Sequence, residues 1–155
     1  MKIIALDLGT KTGFCFGDTF NGGEDLSSRN HGMKDFSLKG NDVRGDRFLK
    51  FHIWFRDLVK GQLPDKVFFE DVKRHSSNLS ARVYCGLLSQ VEMICVAEGV
   101  ECHGIGVGTI KKYMTGNGRA SKDDMIDAVK AKGLSPYDDN DADAISLFFL
   151  ACKVV

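Results

Sequence analysis

Two acids close apolar runs in this chain: Asp7 follows KIIAL, and Glu70 follows KVFF. Far downstream, DDNDADAIS offers Asn140, Asp141 and Asp143. A carboxylate at the end of an apolar strand is costly to bury, and several together repel one another unless a cation neutralises them. Hard, oxygen-rich clusters of this kind suit Mg²⁺ or Mn²⁺. Two such ions about 4 Å apart can activate a water and stabilise the leaving oxygen in phosphodiester hydrolysis. Taken singly, each acid has a plainer reading. Asp7 before Gly9 is a turn former, and Asp138 to Asp143 are caps for a last helix. Convergence on one edge is what would make them a metal site.

The surrounding elements decide whether they converge. Residues 2–7 (KIIALD) predict a buried central strand, GTKTG a turn and FCFGD a second strand, forming a hairpin. The polar stretch 18–30 is a connection, and 31–38 (HGMKDFSL) alternates as a third strand would. Over 42–61, Phe48, Leu49, Ile53, Phe55, Leu58 and Val59 fit a helix that stops at Gly61. KVFFED is a short strand. Residues 79–99 carry Val83, Leu87, Val91 and Ile94 in steps of three or four and stop at Gly99, which predicts a helix. VECHGIGV is another strand, TIKKYM a helical turn and TGNGR a loop. SKDDMIDAVKAKG is a helix with Ser121 and Asp124 in capping-box spacing, and DADAISLFFLACK a terminal amphipathic helix. An antiparallel group followed by alternating strands and helices implies an α/β fold with a mixed sheet and helices on its faces. In such sheets active groups gather at the carboxyl ends of strands, where Asp7 and Glu70 emerge together if their strands are parallel neighbours.

Bulk properties narrow the classes. The 155 residues suit one domain, 1–155, and 43% hydrophobic with 27% charged residues is ordinary globular composition. Net charge is zero, so a nucleic-acid surface must be a local patch rather than a global field. The five cysteines are scattered without a CxxC pair, which argues against structural zinc and for small buried hydrophobes in a reducing compartment. Asp7 and Lys11 break the early apolar run, so no signal peptide is expected, and no apolar run long enough to span a bilayer is expected either. A cytoplasmic protein follows.

IIALDLGTKTGFCFGD, VFFED, IKKYMTGNGRASKDDM and ADAISLFFLACK together resemble the RuvC family of Holliday-junction resolvases, nearly end to end. The short length and drifted details look more like a phage version than a cellular one. The resemblance implies an RNase H-like fold, a five-stranded mixed sheet flanked by helices. It also implies a homodimer that cuts four-way junctions and other branched DNA by paired nicks, with two Mg²⁺ (or Mn²⁺) ions per site. Its metal ligands map to Asp7, Glu70 and Asp143, with a further ligand one helical turn before Asp143, at Asn140. Asparagine offers an oxygen but no charge. Three readings of Asn140 stand: the site tolerates it, Asp141 or Asp139 replaces it, or it is an inactivating change.

The family's functional lysines map to Lys111 and Lys122. Lys122 would open a helix after a glycine-rich loop, where it could hold a phosphate and offset transition-state charge. Lys111, Lys112 and Arg119 would hold backbone nearby. Where the family commonly has an aromatic wedge after its second acid, this chain has Lys73, Arg74 and His75, which favour phosphate contact over base stacking. Residues 79–98 offer a candidate dimer face whose apolar stripe serves equally as core. The rivals are the YqgF branch of the same fold, with an RNA-processing role, a junction-binding protein without activity, and an actin-like phosphate loop that 155 residues are too few to complete.

Overall fold

A computed structural model describes residues 1–23 and 25–155. The strands are β1 (Lys2–Asp7), β2 (Lys11–Asp18), β3 (His31–Asp35), β4 (Lys66–Asp71) and β5 (Glu101–Gly106). The helices are α1 (Arg44–Gln62), α2 (Asn78–Glu98), α3 (Val107–Thr115), α4 (Lys122–Ala131) and α5 (Asp139–Val154). The strands form one five-stranded sheet in the order β3-β2-β1-β4-β5. β1, β2 and β3 pair antiparallel, while β4 runs parallel to both β1 and β5. This is the mixed α/β sheet expected from the sequence.

Side-chain alternation divides the interior into two cores. Ile3, Ala5, Cys15 and Phe68 face α3, α4 and α5, and pack with Ile110, Met125, Ile145 and Phe148. Ile4, Leu6, Val67 and Phe69 face α1 and α2, and pack with Phe51, Phe55, Leu87 and Val91. The same parity carries Asp7 and Glu70 to the α5 side, two residues beyond Ala5 and Phe68. The register Leu6↔Phe69 makes the two acids neighbours at the carboxyl edge.

Several boundaries differ from the sequence expectation. β2 begins at Lys11, because Thr12 Oγ1 donates to Gly9 O at 2.7 Å and confines the turn to Leu8–Thr10. β3 ends at Asp35, where Asp35 Oδ1 accepts from Ser37 N and Oγ. The connection over 18–30 contains a 3₁₀ turn, Phe20–Gly23. In α1 the buried row is Phe51, Phe55 and Val59; Leu49 and Ile53 lie on the opposite face and are exposed. That helix runs through Gly61 to Gln62, and Leu63 takes the left-handed cap at φ 50°. TIKKYM belongs to a nine-residue helix.

The terminal helix is not amphipathic: ten of its sixteen residues are buried. It lies between the sheet and the α3–α4 layer, so almost every face meets protein. Its approach is close because β2 presents Gly13, Cys15 and Gly17 to it, alternating with Phe14 and Phe16 on the opposite face. A Cβ on Gly17 would come within 3.3 Å of the Phe148 ring.

By length and hydropathy α2 is long and apolar enough to cross a bilayer, contrary to the expectation from sequence. In this fold its Val83, Leu87, Val91 and Ile94 row is buried against the sheet, so that row is core. Of the cysteines, Cys15 and Cys95 are buried as expected, whereas Cys85 is exposed.

Candidate metal and phosphate site

Asp7 ends β1 and Glu70 lies near the end of β4, so a rigid parallel strand pair sets their spacing. Tyr84 fixes the end of β4 from behind: its Oη donates to Glu70 O at 2.8 Å and accepts from Val72 N at 3.2 Å. Asp143 arrives from the first turns of α5. Asp138 starts that helix by accepting from Asp141 N at 2.9 Å.

The three carboxyls sense one another. Burial, then the charges of Glu70 and Asp143, hold the Asp7 carboxyl well above its usual range. Burial likewise raises Glu70. Burial and the Glu70 charge push Asp143 up to about 7, against the opposing pull of Lys111 and Lys122. Neither lysine is free: Lys111 Nζ donates to Ala120 O at 2.7 Å, and Lys122 is ion-paired with Asp139. The cluster is therefore under-neutralised. Among the described residues, no three acid, histidine or cysteine side chains stand in a ready-made ligand arrangement. Its donors are all hard oxygens whose mutual repulsion a cation would relieve, a chemistry that fits Mg²⁺ or Mn²⁺.

The raised carboxyls make stability pH-dependent. Unfolded, Asp143 titrates at about 3.9; folded, at about 7. Between those values the folded state keeps a proton that the unfolded state has released, so stability falls as pH rises. Above the folded value the full penalty remains. In chelator, the melting temperature is expected to fall between pH 5 and pH 8, by roughly 2–4 °C for each kcal/mol lost. Asp143→Asn should make that slope shallower, leaving the part due to Asp7 and Glu70. A flat profile in the parent protein would contradict the clustering.

The acids beside Asp143 have separate partners. Asp141 is completely buried on the other side of α5, where both its oxygens meet His31 Nδ1 at 2.9 and 3.1 Å and Oδ2 accepts from Tyr137 N. Asp139 is held by Lys122, which keeps its carboxyl below the usual range. Asp141 is turned away from the cluster, whereas Asp139, one helical turn before Asp143, still bears on Asp7 and Asp143 through its charge. Asn140 Nδ2 donates to Asp138 Oδ2 at 3.1 Å, and among the described residues its Oδ1 accepts no hydrogen bond.

Of the other basic candidates, Lys111 is tied inward rather than open to backbone, and its charge bears on Glu70 and Asp143. Lys112 and Arg119 are exposed. Lys73 and Arg74 are exposed where β4 passes to α2, with Lys73 Nζ 3.9 Å from Asp71. His75 is half-buried, its ring 4.9 Å from that of Tyr84. Sequence reasoning missed Gly13, Tyr84 and the His31–Asp141 pair. The alternation Gly-Phe-Cys-Phe-Gly was a usable signal for the first; nothing local marks the other two.

A mixed sheet in this order, with helices on both faces, is an RNase H-like fold, and it sets acids at the ends of β1 and β4 and on the last helix. Among solved structures the chain is similar to Thermus thermophilus RuvC in complex with Holliday junction substrate, with TM-score 0.78 and 18% identity over 99% of this chain and 94% of that one. A second Thermus thermophilus RuvC structure gives TM-score 0.76 at 18% identity, over 99% and 95% of the two chains. The yeast mitochondrial Holliday junction resolvase gives 0.68 at 11% identity, over 97% and 77%. No family model matches the sequence, and no curated protein matches it.

Proposed function

We propose that this protein is a metal-dependent endonuclease that nicks four-way junctions and other branched DNA in pairs, as a homodimer. The observation that carries the reading is the convergence of Asp7, Glu70 and Asp143, with raised carboxyl pKa values, at the carboxyl edge of β1 and β4. That the solved neighbours are Holliday junction resolvases selects the substrate class.

Asp7, Glu70 and Asp143 would hold two Mg²⁺ or Mn²⁺ ions, with Asn140 Oδ1 as a neutral ligand. The ions, when bound, supply an activated water and stabilisation of the leaving oxygen. Lys122, at the first position of α4, holds the scissile phosphate and offsets charge as it develops. Lys111 limits repulsion among the acids. Lys73, Arg74, Lys112 and Arg119 contact the DNA backbone. Two symmetric nicks need two sites related by a two-fold axis. The outer face of α2, with exposed Leu79, Met93 and Val96, is the surface offered to a second copy.

The test is a labelled synthetic four-way junction incubated with Mg²⁺, Mn²⁺ or chelator. Paired, metal-dependent nicks are expected, with far slower cutting of linear duplex. Equal cutting of single-stranded RNA would favour the RNA-processing rival, and junction binding without nicking in either metal would overturn catalysis. Asn140→Asp adds a charged ligand and is expected to raise activity at limiting metal by about tenfold, the lower end of the effect of a ligand's immediate partners. The same change should lower metal-free stability, since Asp138 loses its Nδ2 donor and faces a like charge.

A further inference from the structure

The turn that follows Asp7 has a second face. Leu8, Gly9 and Thr10 form one wall of a pocket of about 310 Å³, closed by Arg47 from α1, Val72 and His75 after β4, and Tyr84 from α2. We propose that this pocket takes one nucleobase, a guanine turned out of the stack beside the scissile phosphate. The proposal rests on the nuclease reading above and adds sequence preference to it.

Three observations carry it. The first is position: Leu8 directly follows Asp7, and Val72 is braced with Glu70 by the same tyrosine hydroxyl. A base seated here would lie beside the strand ends that carry Asp7 and Glu70, within reach of a nucleotide flanking the cut. The second is chemistry of the walls. Leu8, Val72 and Val83 are apolar, and the His75 and Tyr84 rings, tilted at 46° to each other, add an aromatic surface. The nearby serine hydroxyls are turned into the α2 cap, with Ser80 Oγ donating to Ser77 O at 2.8 Å and Ser77 Oγ accepting from Ser80 N. Such a cleft suits a planar ring rather than a phosphate, and its volume is at the small end for ligand sites.

The third is Arg47. Its Nε donates to Phe36 O at 3.0 Å, and Phe36 N in turn donates to Thr10 O at 2.7 Å, so the side chain is braced against the pocket's own turn. Among the described residues it forms no ion pair, so its two terminal nitrogens keep their donors. A fixed fork of donors matches O6 and N7 of guanine. Extrusion of a base is least unfavourable where pairing is already broken, as at a branch point.

The experiment uses junctions that differ only in the base at each position flanking the cut, with the parent protein, Arg47→Ala and Arg47→Lys. Relative nicking rates are expected to favour guanine at one flanking position by between about 5-fold and about 150-fold. That ratio should collapse in both variants. Persistence of the ratio in Arg47→Ala would overturn the proposal, as would absence of any base preference in the parent. A uniform loss on every junction, restored by Arg47→Lys, would make Arg47 a phosphate contact and overturn it too. If no junction is nicked, the nuclease reading fails first. Junction affinity in chelator across the same base series then reads the pocket alone, with guanine-dependent binding lost in Arg47→Ala as support and a flat series as refutation.

Discussion

Glu70→Gln is expected to lower metal-dependent nicking about a thousandfold while raising the melting temperature of the metal-free protein at pH 8. The rate follows from losing several kcal/mol of transition-state stabilisation that a properly held ion supplies. The stability change runs the other way because Glu70 is buried, raised in pKa and repels both Asp7 and Asp143. Glutamine keeps the size and offers Nε2 to the Asp7 carboxyl, and the Tyr84 bond survives because it goes to the backbone carbonyl. A carboxylate kept for packing would show the reverse: little change in rate and a lower melting temperature. Single-turnover nicking and a thermal melt in chelator measure the two effects. Nicking within tenfold of the parent, or a lower melting temperature, would remove Glu70 from the site.

That opposition of stability and chemistry was partly visible in the sequence. KIIALD and KVFFED each break an apolar alternation with an acid, and a polar residue at the end of a core strand is a conflict that local propensity does not explain. Parity then carries the rest: once Ala5 and Phe68 face α5, so do Asp7 and Glu70. The sheet and most helices were legible because their periods are strong and their caps local, as with Ser121 and Asp124 in α4. What stayed hidden depends on contacts between distant segments. Leu49 and Ile53 fit a helical stripe as well as Phe51 does, and only the approach of α2 decides which row is buried. The DDNDAD run looked like interchangeable acids. In the fold Asp141 turns to His31 on the far side of the helix, while Asp139 and Asp143, one turn apart, share the face that meets Lys122 and Glu70, because successive helical residues are about 100° apart.

Gly13→Ala is expected to destabilise the fold by at least about 1–3 kcal/mol and to lower nicking about a hundredfold. Gly13 pairs with Asp7 across β1 and β2. A Cβ there would sit 1.9 Å from Asn140 O and 2.4 Å from Asn140 C, both backbone atoms that no rotamer change can move aside. Relief therefore requires the first turn of α5 to lift from the sheet, carrying Asn140 and Asp143 away from Asp7 and Glu70. Two further alanines separate this collision from a general effect of losing glycine. Gly61 lies in α1 with no atom within 4 Å of its Cβ position, so Gly61→Ala should stabilise by about 0.5–1 kcal/mol. Gly17 lies on the same face of β2 but would press on side chains, the Phe148 ring at 3.3 Å and Leu26 Cδ2 at 3.4 Å, rather than on backbone. Gly17→Ala should therefore lower the melting temperature without displacing Asp143, and should keep nicking. If Gly13→Ala and Gly17→Ala lose activity only in proportion to stability, the close approach at Gly13 serves the fold alone. If Gly13→Ala loses far more activity than its melting temperature predicts, that missing side chain is what brings the last helix to the two strand-end acids.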